Sequence, residues 1–146
     1  MITIARTVRS TASAEDALAY LADFRNATEW DSGTVRCERL SGDGGVGTRY
    51  RNVSSFAGRE IELVYETLEL SDRHLVIEGA NKTTTSRDTI TVRGAGAGCE
   101  VEYRADFTLR GPARFLGPIM RVLFERLANE TEKTLKAALD TLGGGS

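Results

Sequence analysis

The chain has 146 residues, 40% apolar and 27% charged, which fits one globular domain and excludes a fibrous or disordered chain. Nineteen Lys and Arg oppose twenty-one Asp and Glu, so the balance argues against an overall positive field that would hold nucleic acid. No apolar run reaches the roughly 18–20 residues of a membrane span, and Ile2-Thr3-Ile4-Ala5 shows no signal region, so a cytoplasmic location is expected.

A first strand covers residues 2–9. Ser13 then stands before Ala14-Glu15-Asp16 as an N-cap, with acids in the first turn. Ala17, Leu18, Leu21 and Ala22 follow at helical spacing, giving a helix over 14–22; Phe24 to Thr28 adds another helical turn before Trp30. From residue 34 the apolar period falls from about 3.6 to about 2. Strands are predicted over 34–40, 46–54, 59–70, 73–79, 84–93 and 99–109. Their separators include Gly42 to Gly45, Ala57-Gly58, Ser71 to Arg73, Gly79 to Lys82 and Gly94 to Gly98. These turns are too short for a crossover helix, so neighbouring strands pair antiparallel.

After Gly111-Pro112 the period is helical again. Residues 113–117 form a short turn, and Pro118 suits a first helical position. Met120, Leu123, Leu127, Thr131, Leu135, Ala138 and Leu142 make one stripe on a helix over 118–142, about 37 Å long. A helix of that length with one apolar face must lie against the sheet. The expected fold class is therefore α+β, with the first strand pairing back onto one end of a curled sheet. Residues 1–142 form one domain, and Gly143 to Ser146 read as a flexible tail. Where sheet and helix diverge, a cavity is expected.

Alternation assigns the faces of the strands. Val101, Tyr103, Ala105, Phe107 and Leu109 share the inner face of one strand; Ile61, Leu63, Tyr65 and Thr67 share that of another. Leu75 and Ile77 point in, as do Val46, Thr48, Tyr50 and Asn52. Glu60, Glu62 and Glu66 fall on a solvated face. Ile90 and Val92 must be inward, which carries Thr84, Ser86 and Asp88 inward with them. An inward carboxylate is costly unless it is bonded, paired or protonated. Asp88 is thus either a polar anchor or proton-transfer group for a ligand, or an acceptor for Tyr50, Asn52, backbone or water. The hydroxyls of Tyr50, Tyr65 and Tyr103 suit a greasy ligand with a few oxygens, or else satisfy one another in the core.

Other features exclude chemistry. Cys37 and Cys99 lack CxxC spacing and read as small buried side chains; His74 is the only histidine. No metal and no cofactor are expected. Gly42 to Gly47 and Gly94 to Gly98 are hairpin turns, because neither opens the helix that a phosphate loop needs.

Three segments carry a family likeness: Leu21 to Asn26 with Glu29-Trp30-Asp31, then Gly45 to Tyr50, then Val101 to Phe107. Across residues 2 to about 142 the chain resembles the START-like, helix-grip superfamily, close to its bacterial polyketide cyclase/dehydrase-like branch. Gly42 to Thr48 also resembles the glycine-rich loop of plant pollen-allergen-like proteins with this fold. The resemblance implies about seven curved antiparallel strands around a long C-terminal helix, with two short helices after the first strand. It also implies an internal cavity for a hydrophobic small molecule such as a lipid or polyketide. In that frame Trp30 is a lid at the entrance or a structural plug, and Phe56, before Gly58, is a candidate gate. Met120 and Leu123 form the wall opposite the sheet, with Leu127 read as core.

The expected ligand-facing set is Trp30, Tyr50, Asn52, Phe56, Leu63, Tyr65, Ile77, Ser86, Asp88, Tyr103, Phe107, Met120 and Leu123. One inward carboxylate, with no inward histidine or lysine, favours a binding protein that carries, sequesters or senses its ligand, as a monomer or weak homodimer. The alternative is a polyketide cyclase/dehydratase-like enzyme in which Asp88 or a tyrosine moves a proton.

Overall fold

The fold runs as β1 (Ile2–Ser10), α1 (Ala14–Ala22), a 3-10 turn (Phe24–Asn26), α2 (Ala27–Trp30) and β2 (Thr34–Ser41). It continues through β3 (Arg49–Phe56), β4 (Arg59–Leu70), β5 (His74–Ala80), β6 (Thr84–Ala95) and β7 (Gly98–Leu109). A second 3-10 turn (Gly111–Leu116) leads into α3 (Gly117–Leu142). This structure, a computed structural model, describes residues 1–143; the rest of the predicted tail lies outside the described residues.

All seven strands form one antiparallel sheet in the order β1-β7-β6-β5-β4-β3-β2. The predicted return of the first strand is made on β7, with Ile4 opposite Ala105 and Val8 opposite Val101. The chain therefore starts at one sheet edge and crosses to the other through α1 and α2. Ser13 caps α1 as expected, its Oγ accepting from Asp16 N at 3.1 Å. The α+β helix-grip architecture read from the sequence is the architecture found.

Two differences from the expected boundaries change where side chains lie. β3 starts at Arg49, not at 46, because Gly47 takes a φ of 90° and keeps Gly45-Val46-Gly47 in the loop. Val46 is consequently exposed, while Thr48 is buried and its Oγ1 accepts from Gly44 N at 2.8 Å. Phe56 is not a loop residue: it pairs with Arg59 as the last residue of β3, across the Ala57-Gly58 turn.

The buried face of α3 carries Phe124, Ala128, Thr131, Leu135 and Leu139. The predicted stripe shares Thr131 and Leu135, but Leu123 is half-buried and Leu142 is exposed. Apolar residues stand side by side at 123/124, 127/128 and 138/139, so periodicity alone leaves the face free to turn by one residue; the sheet decides. Arg6 of β1 fastens α3 across the sheet edge, reaching Glu125 Oε2 and Asn129 Oδ1, each at 2.8 Å.

The core divides into two clusters. The larger joins α1 and α2 to the sheet through Leu21, Phe24, Trp30, Tyr50, Ile77 and Leu135, among others. The smaller joins Ile2 and Ile4 to Phe124 and Ala128, with Phe56, Phe107 and Met120 against it. Between them the facing side chains are short, and the hollow described next lies there.

Candidate functional site

Period two on β6 turns Ser86, Asp88, Ile90 and Val92 to the inside, and all four are buried. Asp88 pairs in register with Ala105 of β7, so a small side chain stands beside it. Ala128 and Thr131 of α3 line the same space. These short residues leave a cavity of about 110 Å³ between the sheet, the N-terminal half of α3 and the loop after α2. Ile4, Ile61, Leu63, Ala105, Met120 and Leu127 give it apolar walls. A hollow near 150 Å³ holds a benzene-sized molecule, so the cavity at about 110 Å³ takes only a small guest.

Three aromatic rings lie on one side of the cavity. Phe124 of α3 stacks on Phe107 of β7 at 3.9 Å between centroids and on Phe56 of β3 at 4.9 Å. All three rings line the hollow, so parting them enlarges it.

The polar waist is built from two carboxyls. Asp31 terminates α2, and its Oδ1 accepts from Gly33 N and Thr131 Oγ1, each at 3.2 Å. Its Oδ2 accepts from Thr34 Oγ1 at 2.8 Å. Burial raises the Asp31 pKa, and these three donors pull against it by stabilising the anion. Asp88 accepts from Ser86 Oγ at 3.1 Å, and the Tyr103 hydroxyl lies beside the same carboxyl. Burial, then the charge on Asp31, push Asp88 up to about 7. Burial and the charge of Asp88 hold the Tyr65 and Tyr103 phenols well above their usual range, so both remain donors. The waist thus offers a carboxyl that gives or takes a proton near neutrality, flanked by two phenols.

A profile of the family described as "Polyketide cyclase / dehydrase and lipid transport" matches residues 1–140. The chain belongs to this family. Among solved structures it is similar to a START superfamily protein from Mycobacterium smegmatis, at 15% identity and a TM-score of 0.80, covering 96% of this chain and 98% of that one. It is also similar to the Zhui aromatase/cyclase from Streptomyces sp. R1128, at 15% identity and a TM-score of 0.77, covering 97% and 93%. No curated protein sequence matches.

In this cyclase/dehydrase-family chain, eight residues of the expected set line the cavity: Phe56, Leu63, Tyr65, Ser86, Asp88, Tyr103, Phe107 and Met120. Five lie elsewhere. Trp30 is 1% exposed and packs edge-on against Phe24 and Tyr103, which makes it a plug behind the cavity and not a lid. Tyr50 is buried edge-on against Phe24, and Ile77 is buried in the larger core cluster. Asn52 is held in a polar cluster, donating to Thr34 Oγ1 at 3.1 Å and accepting from Ser54 Oγ at 2.8 Å. Leu123 is displaced by the turn of α3 that brings Phe124 inward.

The expectation of a single inward carboxylate is also corrected, because Asp31 is a second. No pattern in the sequence announces it; its position depends on how α2 ends. Phe124 and Thr131, seven residues apart on one helical face, carried a readable signal, as did Ile61 and Ala105 on faces already assigned inward. Ser54, Thr84, Leu127 and Ala128 complete the lining. His74 opens β5, half-buried and outside the cavity. Cys99 is buried and Cys37 half-buried, both as free thiols. Among the described residues no group of three or more His, Cys, Asp or Glu is placed to hold a metal, and no helix is long and apolar enough to cross a membrane.

Proposed function

We propose that the protein binds a hydrophobic small molecule, such as a lipid or polyketide bearing an oxygen function, between α3 and the sheet. The observation that carries this reading is an apolar hollow with one polar waist, at Asp31 and Asp88. Below about pH 7 the Asp88 carboxyl is protonated and donates to a ligand carbonyl or hydroxyl, while Tyr65 and Tyr103 supply further donors. The apolar part of the guest lies along Phe56, Phe107 and Phe124. A guest larger than a single ring requires these rings to part. In this reading the protein carries, sequesters or senses its ligand in the cytoplasm, as a monomer or weak homodimer.

Native mass spectrometry of protein purified from its own host tests the reading. The expected result is a copurified apolar molecule, retained less by Asp88→Asn at unchanged fold. A ligand held equally well after substitutions at Asp88, Tyr103 and Phe124 overturns this assignment of the cavity.

One observation favours a second reading, a cyclase or dehydratase acting on a polyketide-like carbonyl compound. Asp88, held at about 7 beside the Tyr103 hydroxyl, is suited to take a proton from one carbon or oxygen and return it to another. The fold shared with an aromatase/cyclase is consistent with this. Product formation from a polyketide-like thioester, abolished by Asp88→Asn without loss of binding, selects the enzyme; binding without turnover selects the carrier.

A further inference from the structure

We infer that the 3-10 turn before α3 and the first turns of α3 dock the protein on an anionic lipid bilayer surface. This goes beyond the small-molecule reading and does not depend on which guest the cavity takes. Within eight consecutive residues, Phe115 is 74% exposed, Leu116 50%, Ile119 61% and Val122 52%. Large apolar side chains gathered on one stretch mark a contact surface, whereas scattered ones do not. Ile119 and Val122 are three apart and Arg126 is four further on, so the three share the outer face of the helix. Met120 and Phe124, on the opposite face of the same turns, line the cavity.

The charge around this ridge selects the occupant. Arg110, Arg114, Arg121 and Arg126 flank or interrupt these apolar residues along the chain, and none forms an ion pair among the described residues. Arg110 is bonded only to neutral groups, Thr85 Oγ1 and the carbonyls of Asn81 and Thr84. The Arg114 guanidinium lies 4.9 Å from the centre of the Phe115 ring. The one acid between residues 110 and 126, Glu125, is engaged by Arg6. On the outer sheet face, by contrast, Arg36, Arg49, Arg51, Arg87 and Arg93 all meet carboxylates. Four unneutralised guanidinium groups in the same stretch as four exposed apolar tips match a layer of lipid phosphates over hydrocarbon. A nucleic acid would use the arginines and leave the apolar tips in water. The docked segment is also the wall that holds Phe124 against Phe107, so docking places the cavity's aromatic side next to the bilayer.

Co-sedimentation of the whole protein with vesicles tests the proposal, comparing phosphatidylcholine alone with phosphatidylcholine containing phosphatidylglycerol. Binding is expected to the anionic vesicles and to fall as salt rises. Phe115→Ser with Ile119→Ser, and separately Arg114→Gln with Arg121→Gln, are each expected to weaken it by about tenfold or more. All four residues are exposed, so thermal unfolding should be unchanged and loss of binding is not loss of fold. The proposal is overturned if the wild-type protein ignores anionic vesicles, or if both double variants bind them as the wild type does. It is also overturned if the ridge instead mediates a dimer that Phe115→Ser with Ile119→Ser dissolves, or if only the arginines matter and the ligand is duplex DNA.

Discussion

Phe124 of α3 lies flat on Phe107 of β7, with ring planes 6° from parallel and centroids 3.9 Å apart. This contact joins the long helix to the sheet beside the cavity, and Phe124 is otherwise flanked by Phe56. Truncating it removes the central ring of the stack.

Phe124→Ala is therefore expected to have two opposite effects. Stability falls by about 3 kcal/mol, at the low end for Phe→Ala because one side of the ring already faces a hollow. Uptake of an environment-sensitive apolar dye rises, because the hollow gains the volume of a phenyl ring. Urea unfolding and dye titration measure the two; a less stable protein with unchanged dye uptake would show that the stack does not bound the binding space.

Asp88 gives the stability of the protein a distinctive pH dependence. Its folded carboxyl keeps the proton up to about 7, whereas the ordinary value is 3.8. Between these values the folded state binds more protons than the unfolded state, so this group's contribution falls as pH rises and levels off above about 7. Asp88→Asn removes the effect while keeping the shape. The variant should gain on the wild type by about 3 kcal/mol between about pH 5 and pH 8, read from paired urea curves. Comparing the two proteins at each pH cancels the carboxylates that do not interact with Asp88. A constant difference across that range would mean that Asp88 is not titrating in the folded state near neutrality.

The inward direction of Asp88 was legible because strand alternation leaves two choices of face and Ile90 and Val92 settle which. The same rule assigned Tyr50, Asn52 and Ile77 to the inner face, and they are buried there. What alternation does not encode is position along the sheet relative to the helices. Phe24 and Trp30 of the β1–β2 crossover fill the space over Tyr50, and the hollow opens only where that crossover stops. Asp31 marks that limit, and its place depends on α2 ending at Trp30, a tertiary result with no periodic signature. Leu123 and Phe124 show a related ambiguity, since two adjacent apolar residues fit the helical period equally well until the sheet is present.

Thr131 connects the two sides of the site. Its Oγ1 donates to Asp31 Oδ1 at 3.2 Å and lies 3.0 Å from Ser32 Oγ. Thr131→Val keeps the shape but withdraws one of the donors that stabilise the Asp31 anion. A loss of about 1–2 kcal/mol is expected, since Gly33 N and Thr34 Oγ1 still bond the carboxyl. Carboxyl NMR titration should show the Asp31 pKa higher in the variant. The charge that Asp31 exerts on Asp88 is then reduced at a given pH, so Asp88 should titrate lower. Unmoved titrations of both groups would mean that the bond to Thr131 contributes nothing to the pair.

Gly79 bears on the cavity from a neighbouring strand. It pairs with Tyr65 across β4 and β5, and a Cβ there would come within 2.6 Å of the Tyr65 ring. The ring cannot simply retreat, because Phe24 lies 4.7 Å from its centre. Gly79→Ala is thus expected to cost about 2 kcal/mol by overpacking, and to turn Tyr65 further into the space it lines. Dye uptake should fall in the same variant. A smaller partner ought to relieve the clash, so Gly79→Ala combined with Tyr65→Leu should be less destabilised than the sum of the singles by about 1 kcal/mol or more. Strict additivity in that cycle would place the cost of Gly79→Ala in the β5 backbone instead of in the contact with Tyr65.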